Sequence, residues 1–243
     1  MGTLTALPVR APTEVTRATT RFAMLAAPLA VVPLGLLVVV VLRLGDWASL
    51  PPLATGTLAV AALVLGTRAF HVDGLSDTVD GLTASYDRER SLAVMKSGTS
   101  GPAGGVVVLL VLLLQAAGAT SLSATWRGAV LAGLLVCVSR CALAITCAAG
   151  VPGARPEGLG GSFVGVVPVV AAAVSWVVAT VLVSAVASWA GVDWWRGLVA
   201  IALALLTIAL LVRRTTTRFG GVTGDVFGAA IELSLAVLLV VCA

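Results

Sequence analysis

Apolar residues run through this chain in blocks too continuous for surface helices and too long for the core of a soluble domain. Seven blocks, at roughly 22–42, 53–70, 103–119, 128–149, 166–188, 197–212 and 226–242, approach the about 20 apolar residues that a helix needs to cross a bilayer. Polar residues collect between them in short turns on one side and longer segments at 71–102, 150–165 and 213–225 on the other. The pattern predicts an all-α fold, a polytopic membrane helical bundle of about seven transmembrane helices. Residues 1–21 read as a polar N-terminal leader and 22–243 as a single transmembrane domain. Nothing before Phe22 has the pattern of a cleavable signal peptide.

Composition excludes the soluble alternative. Hydrophobic residues make up 59% of the 243 and charged residues 11%, against about a quarter charged in soluble domains. The mean hydropathy is +1.10. The net charge of +4 then reads as topology rather than as affinity for nucleic acid. If the N-terminus is cytoplasmic, Arg10, Arg17, Arg21, Arg68, Arg88, Arg90, Lys96, Arg155, Arg213, Arg214 and Arg218 share its side, while Arg43, Arg127 and Arg196 lie opposite. Basic residues favour the cytoplasmic side, so the N-terminus is expected inside the cell, where these arginines also meet anionic membrane lipids. Trp47, Trp126, Trp189, Trp194 and Trp195 fall at the other ends of the spans, where an aromatic belt belongs. All four cysteines lie in spans with no Cys-x-x-Cys pair, which is the usage of packing residues.

The chemistry sits in the longer polar segments. The densest is His71-Val-Asp73-Gly-Leu-Ser-Asp77-Thr-Val-Asp80-Gly. Asp73, Asp77 and Asp80 fall within about 60° of one another on a helix, and Asp87 would extend the stripe. Like charges on one helix face repel, and near lipid their cost rises. An oxygen-only set that needs a counter-charge points to Mg²⁺ or a similar hard cation. His71, the only histidine, falls on the far side of the helix from Asp73; it reads as a polar cap or as a base, and with Asp73 it is a candidate catalytic residue.

Arg88 and then Lys96-Ser-Gly98-Thr-Ser-Gly101-Pro-Ala-Gly104 lead into a span. Glycines opening a helix present free N–H groups that hold phosphate, with a cation alongside. The last polar segment carries Arg214, Gly220-Gly221-Val-Thr-Gly224-Asp225 and, seven residues on, Glu232 on the same face. Gly221, Gly224 and Gly228 make a small-residue seam suited to close helix contact, and the acids would complete the cation site with Asp73, Asp77 and Asp80. Arg140 within a span and Arg155-Pro-Glu157-Gly158 in a loop are further cationic candidates for substrate.

Taken in order, His-x-Asp-Gly-Leu-x-Asp-x-x-Asp-Gly, Met-Lys with its glycine turn, Arg-Pro-Glu-Gly-Leu-Gly and Gly-Gly-x-x-Gly-Asp-x-x-Gly-Ala resemble the cobalamin synthase (adenosylcobinamide-GDP ribazoletransferase) family from about Phe70 to Glu232. Ser97 departs from the pattern, where an acid often follows Met-Lys. The resemblance implies a Mg²⁺-dependent transferase in the inner membrane with its active site facing the cytoplasm. It would join α-ribazole, or its 5′-phosphate, to adenosylcobinamide-GDP and release GMP. Asp77-Thr-Val-Asp80-Gly81-Leu-Thr-Ala84 also matches the opening of the CDP-alcohol phosphatidyltransferase signature. That signature's arginine is Ser85 here, and its closing acids are absent, with Val94, Gly98 and Pro102 in their places. A divalent-cation transporter would scatter its acids along several spans, whereas only Glu232 sits that way.

Overall fold

The computed structural model describes residues 4–8, 16–98, 100–155 and 159–243. Its helices are α1 (Arg17–Leu25), α2 (Ala27–Ala30), α3 (Val32–Trp47), α4 (Pro52–Gly66), α5 (Phe70–Ala84), α6 (Arg88–Lys96), α7 (Pro102–Leu122), α8 (Trp126–Ser139), α9 (Ala142–Thr146), α10 (Leu159–Phe163), α11 (Val169–Trp189), α12 (Trp194–Phe219) and α13 (Gly224–Cys242). Among the described residues the only β-contacts are two isolated bridges, Ala148 with Val167 and Gly153 with Val222. An all-helical chain is what lipid demands, since each helix satisfies its own backbone polar groups.

Among the described residues five stretches are individually long and apolar enough to cross a membrane: α7, Trp126–Thr146 (α8 with α9), α11, α12 and α13. Helices α4 and α5 make a sixth only when taken together, and they are bent by 89°. Helix length therefore gives five or six spans, against the seven blocks in the sequence. The first block is cut by Pro28 and Pro33, which sit in the opening turns of α2 and α3. Proline lacks the N–H and clashes with the preceding turn, so a continuous apolar run becomes α1, α2 and a 16-residue α3. The second block ends as a 15-residue α4, because Arg68 and Ala69 take left-handed φ values of 55° and 56°. That conformation is costly for residues with a side chain, and it turns the chain sharply into α5.

Two polar segments are more regular than their composition suggests. Residues 71–102 are mostly helix, as α5 and α6. Helix α12 does not stop at Arg213 and Arg214 but continues to Phe219. Threonines and arginines sustain those last turns, and Gly220 at φ +79° ends them as a left-handed cap.

Helix α13 is the hub. It packs most extensively on α5 and α12, then on α7, α8 and α9. In its spanning window 72% of residues are buried, against 22% in α11, whose valines and leucines face lipid. Trp47, Trp126, Trp189, Trp194 and Trp195 are all exposed at helix ends, and Trp126 and Trp189 meet edge to face with centroids 4.8 Å apart. The opposite ends of α5, α7, α12 and α13 carry the polar motifs.

Candidate active site

The first and last motifs meet backbone to backbone. A Cβ placed on Gly74 would lie 2.7 Å from the Asp225 carbonyl oxygen and 3.0 Å from its Cα. One turn deeper, a Cβ on Gly228 would lie 2.9 Å from the His71 carbonyl oxygen. Two glycines, one from each helix, let α5 and α13 touch where side chains would hold them apart. This contact sets Asp225, at the start of α13, beside the aspartate stripe. The Thr223 hydroxyl donates to its Oδ2 at 3.2 Å.

Asp73 is exposed, Asp77 half-buried and Asp80 buried. On α5, beyond the break and outside the five spanning stretches, the Asp77 carboxyl is pushed up to about 6. Burial is the main cause, followed by the charges of Asp73, Asp225 and Asp80. Four carboxylates from two motifs thus share one electrostatic neighbourhood.

Asp80 already has protein partners. Its Oδ2 accepts from the Gly101 N–H at 2.7 Å and its Oδ1 from the Gly104 N–H at 2.8 Å. These are free donors at the N-terminus of α7, where a carboxylate is favoured by both the N–H groups and the helix dipole. A Cβ on Gly101 would sit 2.5 Å from Asp80 Oδ1, and one on Gly104 would fall on the same carboxylate and on Ser76. The sequence suggested these two glycines as a phosphate cradle; in the fold they cradle Asp80 instead. Asp87 likewise leaves the stripe. Helix α5 ends at Ala84, and Asp87 caps α6 by accepting the Arg90 N–H at 2.7 Å.

His71, Arg140 and Glu232 lie deeper and away from the open face. All three are buried. The His71 Nδ1 is 3.7 Å from Glu232 Oε1, and the Gln115 side-chain amide donates to Glu232 Oε2 at 2.8 Å and to its carbonyl at 3.1 Å. Arg140 donates to the Val136 carbonyl and to Ser139 Oγ, both at 2.9 Å, and interacts electrostatically with Glu232 and His71. Expected at a substrate site, Arg140 and Glu232 form a polar core joining α7, α8 and α13, and His71 belongs with them rather than with Asp73. Gln115 joins them, and its signal in the sequence is a glutamine inside an apolar span.

The basic residues divide into struts and free charges. Arg88 donates to the Ala154 carbonyl at 2.9 Å, Arg155 to the Leu92 carbonyl and Arg218 to the Ser85 carbonyl. Arg155 also acts electrostatically on Asp225. Lys96 and Arg214 are exposed on the same polar end. Gly98 is exposed with φ +65°, and Gly224 helps line an apolar cavity of about 50 Å³ beside His71 and Phe227. Arg10 and residues 156–158 of the third motif, Glu157 among them, lie outside the described residues.

A family model described as cobalamin-5-phosphate synthase matches residues 1–243. The chain belongs to the cobalamin-5-phosphate synthase family. It is 54% identical to a Nocardioides sp. protein named adenosylcobinamide-GDP ribazoletransferase, over 98% of this chain and 94% of the relative. Proteins of the same name from Frankia casuarinae and Pseudomonas aeruginosa are 36% and 34% identical over 99% of this chain, covering 91% and 94% of their own lengths. No solved structure matches. Membership in the cobalamin-5-phosphate synthase family decides against the phosphatidyltransferase and transporter readings. It also agrees with the ordered motifs between His71 and Glu232, the first and last of which the fold brings into contact.

Proposed function

We propose that this chain is an adenosylcobinamide-GDP ribazoletransferase of the inner membrane, joining α-ribazole or its 5′-phosphate to adenosylcobinamide-GDP with release of GMP at the cytoplasmic face. That is the nucleotide-loop assembly step of cobalamin biosynthesis. Besides the family, the observation that carries the reading is the seating of Asp225 on Gly74. It concentrates carboxylates where a diphosphate must be neutralised.

The donor set fits Mg²⁺ in kind, because Asp77 and Asp225 offer only hard oxygen ligands, with the Asp73 carboxylate beside them. Among the described residues no three acidic, histidine or cysteine side chains already form a ligand shell. Two carboxylates, with water and diphosphate oxygens filling the remaining positions, is the arrangement Mg²⁺ usually takes. Bound there, Mg²⁺ supplies charge neutralisation for the diphosphate and the departing nucleotide.

The chain's own residues do the rest. Asp80 orients the start of α7 and keeps it against α5. Asp73, exposed at the rim, accepts the proton of the attacking ribazole hydroxyl. Lys96 and Arg214 draw the anionic donor to this face, and the Arg88 and Arg155 guanidiniums add positive charge at its edge while bracing α6 and the 150–155 segment. His71 serves the reaction only indirectly, by packing beneath the α5–α13 contact.

The purified chain in lipid nanodiscs, given adenosylcobinamide-GDP, α-ribazole and Mg²⁺, should release GMP and form a complete corrinoid. Release of CMP from a CDP-activated lipid, with no corrinoid product, would overturn the assignment.

A further inference from the structure

Tyr86 is the only tyrosine in the chain, and its residue is 91% exposed. The exposed tryptophans sit at span ends on the opposite side. Tyr86 instead follows the aspartate stripe by six residues, between the end of α5 and the Asp87 cap of α6. The ring therefore lies in the short turn that leads out of α5, the helix that carries the aspartate stripe.

The ring is also built into place. The Arg218 guanidinium lies 4.3 Å from its centroid, a cation–π contact. Arg218 is itself fixed by donating to the Ser85 carbonyl, the residue before Tyr86, and Ser91 Oγ donates to that same carbonyl at 2.9 Å. Arg218 is nearly buried, and its Nε has no acceptor among the described residues. The ring is thus held from one side by a nearly buried cation and left open on the other. Open aromatic faces beside a polyanion-binding site are what nucleobases stack on.

We propose that Tyr86, held on Arg218, is the platform on which the purine base of the nucleotide-activated donor stacks. This rests on the transferase reading above and adds to it a residue that grips the leaving nucleotide. The carboxylate cluster handles the diphosphate, and Tyr86 handles the base at the other end of the same nucleotide. Stacking tolerates any aromatic ring, so the phenolic hydroxyl is dispensable.

The test uses the chain in nanodiscs with Tyr86→Ala, Tyr86→Phe and Tyr86→Trp. In Tyr86→Ala the KM for adenosylcobinamide-GDP and the inhibition constant of free GDP should rise together, by roughly tenfold. Tyr86→Phe and Tyr86→Trp should stay near the parent values. The KM for α-ribazole and kcat should remain within about twofold in all three. An unchanged donor KM and GDP inhibition in Tyr86→Ala would overturn the platform. So would equal losses for both substrates and kcat, which would mark a structural role, or a Tyr86→Phe variant as weak as Tyr86→Ala. If the parent chain released no GMP at all, the transferase reading would fall by itself. Calorimetric binding of GDP to the parent and to Tyr86→Ala would then still decide the platform, with a clear loss supporting it and equal or no binding overturning it.

Discussion

At Asp77 three like charges and partial burial act on one carboxyl, which makes it the residue most in need of a counter-charge. Asp80 is less exposed but already carries two N–H donors, and Asp73 is open to water. Asp77→Asn should therefore lower turnover by orders of magnitude, since the neutralisation of the transferring group would be lost. The same change should leave the fold intact or slightly more stable in metal-free buffer, because it relieves repulsion. Steady-state kinetics and thermal unfolding of the one variant check both halves, and normal turnover at normal Mg²⁺ demand would refute the role. The spacing of Asp73, Asp77 and Asp80 was legible in the sequence as a stripe on one helix face. That Asp80 would be claimed by α7 was not, because its partners are backbone N–H groups twenty-one and twenty-four residues away.

Elements meet here through small residues and a buried polar knot. Any side chain at Gly74 meets the Asp225 backbone, which cannot rotate away. Gly74→Val should separate α5 from α13, abolishing activity and lowering thermal stability, while Gly105→Ala, where a Cβ meets nothing, should be close to neutral. Deeper in the bundle, Glu232→Ala would strip Arg140 of its opposite charge in a site closed to water. The two side chains do not touch, so the loss should fall below the about 3–5 kcal/mol that breaking a buried ion pair costs in soluble proteins. Glu232→Ala should still unfold at lower temperature, and adding Arg140→Leu should recover much of the loss. Recovery measured in the double variant separates the electrostatic cause from the cavity left by the shorter side chain. The sequence marks Gly221, Gly224 and Gly228 as the seam; of these Gly228 crosses α5, at His71, and the second touching pair is Gly74 with Asp225. Period and composition show that a helix has a small-residue face; which glycine is crossed depends on the angle at which the helices pass.

Over the whole molecule, the polar motifs occupy one end of the bundle and the exposed tryptophans the other. With basic residues concentrated at the motif end, single cysteines at Ala84 and Ser188, introduced after the native cysteines are replaced, should label only from the cytoplasm and only from outside, respectively. Labelling from the reverse sides would invert the orientation. The sequence by itself determined the membrane setting, the helical class, the family and the order of its motifs, because these follow from hydropathy and short local spacing. Tertiary structure alone decided where the chain breaks and which groups meet. The turn at Arg68 and Ala69 that aims α5, the claim of α7 on Asp80, and the retreat of His71, Arg140 and Glu232 into a buried knot all depend on residues far apart in the chain. Hydrophobicity tells each segment that it must be buried or face lipid, but it does not distinguish one apolar neighbour from another. That choice is made by close fit between glycines and backbone, and by the need of every buried polar group for a partner.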